Sequence, residues 1–74
     1  MIVTALRNLY LAEPFQPFTI HMSDGRHIPV RHPEFIASAP AARTATVYQP
    51  DGSFSIIDVE LVTELQVQPN GDKQ

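Results

Sequence analysis

The sequence contains no cysteine, which excludes disulfide bonds, thiol chemistry and metal sites built from thiolates. It also has no long apolar run of the kind that spans a membrane, and Arg7 interrupts the apolar N-terminus too early for a signal peptide. Glycine-rich phosphate loops, nucleophile elbows and Cys/His metal-binding arrays are absent from the sequence as well. We therefore expect a cytoplasmic, non-enzymatic protein with no cofactor and no membrane partner.

Charged residues are scarce and unevenly distributed. Only 18% of the 74 residues are charged and 43% are hydrophobic, which is typical of a soluble globular protein rather than a disordered one. The net charge of -3 disfavours a general nucleic-acid binder, because such proteins neutralise phosphates with cationic side chains. Residues 1–43 carry a net charge of +1 and residues 44–74 carry -4, with all three histidines in the first part.

The short length predicts one domain of modest stability. A chain of this size buries only about 60% of the surface that its unfolded state exposes, so association between chains would add useful buried area. We predict a single domain over residues 1–69 and a mobile polar tail over residues 70–74.

Two Asp-Gly turns predict the architecture. The first, at Asp24-Gly25, lies between two alternating apolar runs, and the second, at Asp51-Gly52, separates Thr46-Val47-Tyr48 from Phe54-Ser55-Ile56-Ile57. A three-residue loop in the first hairpin keeps the apolar residues on one face, whereas a two-residue loop would mix the faces. The predicted register pairs Phe18 with Val30, Ile20 with Ile28, Thr19 with Pro29, and His21 with His27.

The remaining segments predict a short N-terminal helix capped by Thr4, a second strand bent at Pro33, and one helical turn capped by Asp58 before a last strand. We predict a core in which apolar residues of the strands are buried together with two residues of the helix. Its members are Leu6, Leu9, Phe18, Ile20, Ile28, Val30, Ile56, Leu65 and Val67.

The order of these elements is similar to that of Sm-like and SH3-like proteins. The resemblance implies a mainly β fold, a small five-stranded SH3-like or Sm-like barrel with a short N-terminal helix. The sequence also resembles a group of short uncharacterised bacterial proteins that share the run Pro-Phe-x-Ile-x-x-x-Asp-Gly-Arg-x-Ile-x-Val-x-His-Pro-Glu-Phe. This resemblance covers most of the chain from Phe15 to Val67. The Sm-like comparison would imply rings and RNA binding, but no RNA-contacting motif carries over to this sequence.

Histidines and arginines near the first hairpin form the candidate partner surface. His21 and His27 oppose each other on the outer face, where they are either a solvated pair or a site for a metal or for pH sensing. Two ligands are too few for a structural zinc site. Arg26, Arg31 and Arg43 are either ordinary surface charge or a patch that attracts a phosphate or an acidic surface.

His32 precedes Pro33 and Glu34, which places an imidazole beside a carboxylate as in a general base. No nucleophile accompanies them at a recognisable spacing. The competing interpretation is structural: His32 satisfies backbone groups that Pro33 leaves unpaired.

The function best supported by these observations is a non-enzymatic interaction module that forms a homo-oligomer through exposed strand edges. The charge division predicts that the acidic part of one subunit approaches the arginine-bearing part of the next. The alternative is a nucleic-acid-binding protein that uses the His/Arg face of the first hairpin.

Overall fold

The chain folds into one short helix and two three-stranded antiparallel sheets, in a computed structural model that describes residues 2–38 and 43–68. The helix is α1 (Ile2–Tyr10). The six strands are β1 (Phe18–Met22), β2 (His27–Val30), β3 (Ile36–Ala37), β4 (Thr44–Tyr48), β5 (Phe54–Asp58) and β6 (Val62–Val67). Single 3-10 turns lie at Pro33–Phe35 and Val59–Leu61.

The first sheet has the strand order β2-β1-β6, and its hairpin has the register that the sequence predicts. Ile20 pairs with Ile28 and His21 with His27. The turn closes with hydrogen bonds from the Gly25 N–H to the Met22 carbonyl and from the Met22 N–H to the Arg26 carbonyl. Gly25 has a φ of +94°, which is the left-handed conformation expected after a type I turn.

The second sheet has the order β3-β4-β5 and contains the second predicted hairpin. Its turn repeats the geometry of the first, with Gly52 at a φ of +93° and a hydrogen bond from the Gln49 N–H to the Ser53 carbonyl. Val47 pairs with Ser55 and Thr46 with Ile56. Val47 therefore faces the core, and Ile56 lies on the outer face.

The core lies between the two sheets and is closed on one side by α1. Its buried members come from the helix, from five strands and from the second 3-10 turn, and they are Leu6, Tyr10, Phe18, Ile20, Met22, Ile28, Val30, Ile36, Ala45, Val47, Ile57 and Val59. The Tyr10 hydroxyl forms a hydrogen bond of 2.9 Å with the Ser38 hydroxyl, which ties the end of the helix to the segment after β3.

The predicted five-stranded barrel is wrong. The described residues form six strands, and their two separate sheets do not close into a barrel. The predicted long second strand is two strands, β2 in one sheet and β3 in the other, separated by the 3-10 turn at Pro33–Phe35. Proline lacks the N–H that a ladder needs, and its fixed φ suits the first position of a helical turn. The chain therefore leaves the first sheet before it enters the second.

The two predicted helix caps have different outcomes. The helix begins at Ile2, so Thr4 lies within its first turns and is not its cap. Asp58 does cap the second 3-10 turn, because its Oδ1 accepts a hydrogen bond of 2.9 Å from the Glu60 N–H.

The predicted tail over residues 70–74 lies outside the described residues. None of the helical segments in the described part of the chain is long and apolar enough to cross a membrane.

Candidate functional site

The outer face of the first sheet brings His21 and His27 into direct contact. Their Nδ1 atoms lie 3.0 Å apart, and their rings meet edge to face with centroids separated by 4.8 Å. In the neighbouring pair, the Met22 N–H donates a backbone hydrogen bond to the Arg26 carbonyl. The two histidines consequently occupy a non-hydrogen-bonded position of the antiparallel ladder, where side chains approach most closely.

Gln66 extends this contact to a third strand. Its Oε1 lies 2.8 Å from Nε2 of His21, so β2, β1 and β6 contribute to one connected row of side chains. The pairing of the two histidines is predicted by the sequence, whereas the contact with Gln66 is not. That residue is found only when β6 is placed beside β1, and its place in the alternating run Glu64 to Gln68 was the available signal. No group of three or more His, Asp or Glu side chains within residues 2–38 and 43–68 is placed to share a metal ion.

The predicted arginine patch is divided in the structure. Arg26 forms an ion pair of 3.0 Å with Asp24 in the same turn, and Arg31 is exposed just after β2. Arg43 lies just before β4 of the second sheet and pairs with Asp58 at 2.8 Å and with Glu60 at 3.5 Å. The structure therefore brings His21 and His27 together but does not gather the three arginines into one surface.

An open cleft of about 390 Å³ lies where β2 approaches the β4–β5 hairpin. Nε2 of Gln49 donates a hydrogen bond of 3.2 Å to the Pro29 carbonyl across this junction. The residues that line the cleft are Arg26, His27, Ile28, Pro29, Gln49 and Ser55. Because Arg26 is already paired with Asp24, the cleft offers an anion little uncompensated charge.

The pKa of the Asp58 carboxyl is lowered from its ordinary value of 3.8, mainly by the hydrogen bond from the Glu60 N–H and further by Arg43. A carboxylate with a folded-state pKa below its unfolded-state pKa stabilises the fold above the unfolded-state value. That contribution is lost as the pH falls through the folded-state pKa.

Replacing Asp58 with Asn should therefore lower the thermal midpoint near neutral pH, and this difference from the wild type should shrink as the pH falls below 3.8 and disappear once the pH is below the folded-state pKa. Thermal unfolding followed by circular dichroism across this range measures the difference. Glu64→Gln is the control, because Glu64 is exposed and caps no turn in the described structure. An Asp58→Asn deficit that persisted unchanged in acid would contradict the assigned pKa direction.

His32 packs against an aromatic ring. Its imidazole meets Phe35 edge to face with centroids 5.1 Å apart, and its side chain makes no capping hydrogen bond to the 3-10 turn that it precedes. The His32 carbonyl accepts a hydrogen bond of 3.1 Å from the Phe35 N–H. The backbone of His32 therefore helps to close the turn at Pro33, and its ring contributes packing.

The outer face of the second sheet carries an apolar surface that was not predicted from the sequence. Phe54 and Ile56 on β5 are 58% and 65% exposed, and Tyr48 on β4 is 46% exposed. The rings of Tyr48 and Phe54 are in contact, with centroids 5.5 Å apart. We call Tyr48, Phe54 and Ile56 the β5 patch. The adjacent pair Ile56-Ile57 indicated such a surface in the sequence, because only one of two neighbouring residues in a strand can face the core of the protein.

Comparison with protein-family models, with curated proteins and with solved structures finds no match to this chain.

Proposed function

We propose that this protein is a non-enzymatic interaction module that self-associates by pairing β5 of one copy with β5 of a second. The observation that carries the proposal is that no described strand pairs with the outer edge of β5. β5 lies at the edge of its sheet and is uncharged from Phe54 to Ile57. Exposed apolar edges of this kind pair readily with another strand.

The other three sheet edges of the described structure carry features that discourage pairing. β2 contains Pro29 and has only four residues, and β3 has two. β6 carries Glu64, and its register with β1 is irregular beside His21 and Met22. Proline, short length, charge and register irregularity all blunt an edge. Among the edge strands within residues 2–38 and 43–68, only β5 combines five residues, a regular register and exposed apolar side chains.

The backbone of β5 also has the correct orientation for pairing. The hydrogen bond from Gln49 to Ser53 sets the alternation along the hairpin, so Ser55 and Ile57 direct their N–H and carbonyl groups toward β4. The corresponding groups of Phe54 and Ile56 point away from β4. An added strand would find both backbone hydrogen-bonding groups and apolar side chains at these two positions.

A second copy of this chain fits the edge because β5 is self-complementary. In a two-fold antiparallel pair centred on Ser55, Phe54 of each copy lies opposite Ile56 of the other, an aromatic and β-branched pair that stabilises sheets. Such pairing would join two three-stranded sheets into one of six strands. The contact is smaller than the roughly 800 Å² per partner of a standard interface, so we expect a dimer that dissociates on dilution.

The structure gives less support to the head-to-tail arrangement expected from the charge division. Arg43 is already paired with Asp58 and Glu60 of its own chain, and Arg26 with Asp24. These intramolecular pairs leave less cationic surface for an acidic neighbour or for nucleic acid. Retention on a polyanion column that weakens steeply with salt would favour the nucleic-acid alternative.

Replacing Ile56 with Lys should convert the dimer to a monomer, because it places a charge opposite Phe54 of the second copy without disturbing the core. Sedimentation equilibrium over a dilution series, at low and high salt, measures the association. Leu11→Lys is the matched control, since Leu11 is also an exposed large apolar residue but lies outside the β5 patch.

We expect the wild type and Leu11→Lys to dimerise equally, with no loss of dimer at high salt, because apolar burial and backbone pairing are not screened. A wild-type protein that stays monomeric up to about 1 mM would reject the proposal. An oligomer unaffected by Ile56→Lys would show that another surface mediates the association.

A further inference from the structure

The hydrogen bonds of His21 and His27 define the tautomer of each neutral ring. The Gln66 Oε1 that faces Nε2 of His21 can only accept a hydrogen bond, so Nε2 of His21 carries the hydrogen in the neutral ring. Nδ1 of His21 is then left with its lone pair. That atom accepts from Nδ1 of His27, 3.0 Å away, which must donate.

The two Nδ1 atoms therefore lie side by side, and the lone pair of one of them, on His21, is held in position by the hydrogen bond that the other nitrogen of its ring donates to a neighbouring strand. Metal-binding histidines are commonly held in this way, because a hydrogen bond at one ring nitrogen fixes the tautomer that presents the other nitrogen to the metal. The oxygen of Gln66 performs that role for His21. The arrangement is specific to this pair, since His32 instead packs against Phe35.

We propose that His21 and His27 chelate one divalent transition-metal ion, of the Zn²⁺ and Ni²⁺ class, through their two Nδ1 atoms. Zinc binds imidazole nitrogen at about 2.0 to 2.1 Å, and a tetrahedral ion holds two such nitrogens about 3.4 Å apart. The observed separation of 3.0 Å would need to widen by a few tenths of an ångström, and each ring would need to turn so that its Nδ1 lone pair points at the ion and not at the other nitrogen. His27 would release the hydrogen on Nδ1 and carry one on Nε2 instead.

Solvent would complete the coordination, because no third His, Asp or Glu of the described chain is placed to join the pair. A site with two protein ligands binds an exchangeable ion and not a structural one, which usually has four protein ligands. Imidazole ligands favour zinc, copper and nickel over magnesium and calcium, whose preferred ligands are oxygens. The site lies on the first sheet, so it does not depend on pairing through β5.

Isothermal titration of tag-free protein with zinc chloride, repeated with nickel chloride, tests the proposal. We expect one ion per chain with micromolar affinity. Either His21→Asn or His27→Asn should abolish saturable binding, whereas His32→Asn should bind as the wild type does. Equal binding by all four proteins, or no saturation of the wild type up to about 1 mM metal, would overturn the proposal.

Replacing Gln66 with Leu tests how His21 is positioned. Loss of the Oε1 acceptor should weaken metal affinity by about tenfold, the lower end of the range for groups that orient a ligand. Unchanged affinity would overturn this role of Gln66.

Long-range nitrogen-proton spectra of the histidine rings give a readout that needs no variant. In the metal-free protein we expect the Nε2–H form of His21 and the Nδ1–H form of His27, which distinguishes the two rings. On addition of zinc both rings should show the Nε2–H form with coordinated Nδ1. Coordination through Nε2 of either ring would contradict the proposed geometry.

Discussion

Truncation of Ile20 to Ala is expected to lower the free energy of unfolding by about 2 to 5 kcal/mol. Ile20 is fully buried at 0% exposure, and it lies in the central strand of the first sheet between Ile28 and Leu65. Removing its side chain loses the transfer free energy of three carbons and leaves a cavity that neighbouring strands can close only in part. In a domain this small, the loss is a large fraction of the total stability.

Ile56→Ala is the matched control, because it is the same change on the outer face of β5 at 65% exposure. We expect an effect within about 0.5 kcal/mol when both variants are compared at a concentration that keeps the protein monomeric. Urea unfolding followed by circular dichroism gives both values. Equal destabilisation by the two variants would mean that the inner and outer faces of the sheets are wrongly assigned.

The first hairpin could be predicted from the sequence because local chemistry and the face pattern agree. A three-residue loop ending in Gly25 fixes the register, and that register places Ile20 with Ile28 on the buried side. The same agreement predicted the contact between His21 and His27. The capping of the second 3-10 turn by Asp58 is equally local.

The face of β5 was harder to predict. Ile56 was expected in the core and is exposed, whereas Ile57 is buried. Val67 was also expected in the core, and it lies opposite the buried Phe18 on β1 but is 42% exposed. Two adjacent isoleucines leave the alternation ambiguous, so the register with the neighbouring strand determines which of them is buried. On β4 the small apolar Ala45 and Val47 face inward, and Ile57 pairs with Ala45. The signal was present in the sequence, but it required the register of the second hairpin.

The arrangement of the sheets depends on non-local pairing that the sequence did not reveal. A proline after β2 is compatible with a bent strand or with a break, and the two outcomes differ in whether one strand serves both sheets. The contact of Gln66 with His21 joins residues 45 positions apart, and it exists only because β6 pairs with β1. Side-chain partners so far apart in the sequence can be predicted only when the order of the strands in the sheet is known.

Replacing Gly52 with Val should destabilise the fold by about 1 to 3 kcal/mol, the cost of holding a β-branched residue in the left-handed region. Gly52 has a φ of +93°, and a β-carbon placed there meets no atom within 4 Å. The cost therefore comes from the backbone conformation and not from a collision. The effect should reach the whole hairpin, because this turn sets the pairing of β4 with β5.

Gly52→Asn separates the conformational cost from the loss of glycine itself. Asparagine adopts the left-handed conformation more readily than other residues with a side chain, so this variant should lose clearly less stability than Gly52→Val. Thermal and urea unfolding of the three proteins measure the order wild type, Asn, Val. If Val and Asn unfolded at the same point as the wild type, position 52 would not be held at positive φ, and the register that exposes Phe54 and Ile56 on one face would lose its basis.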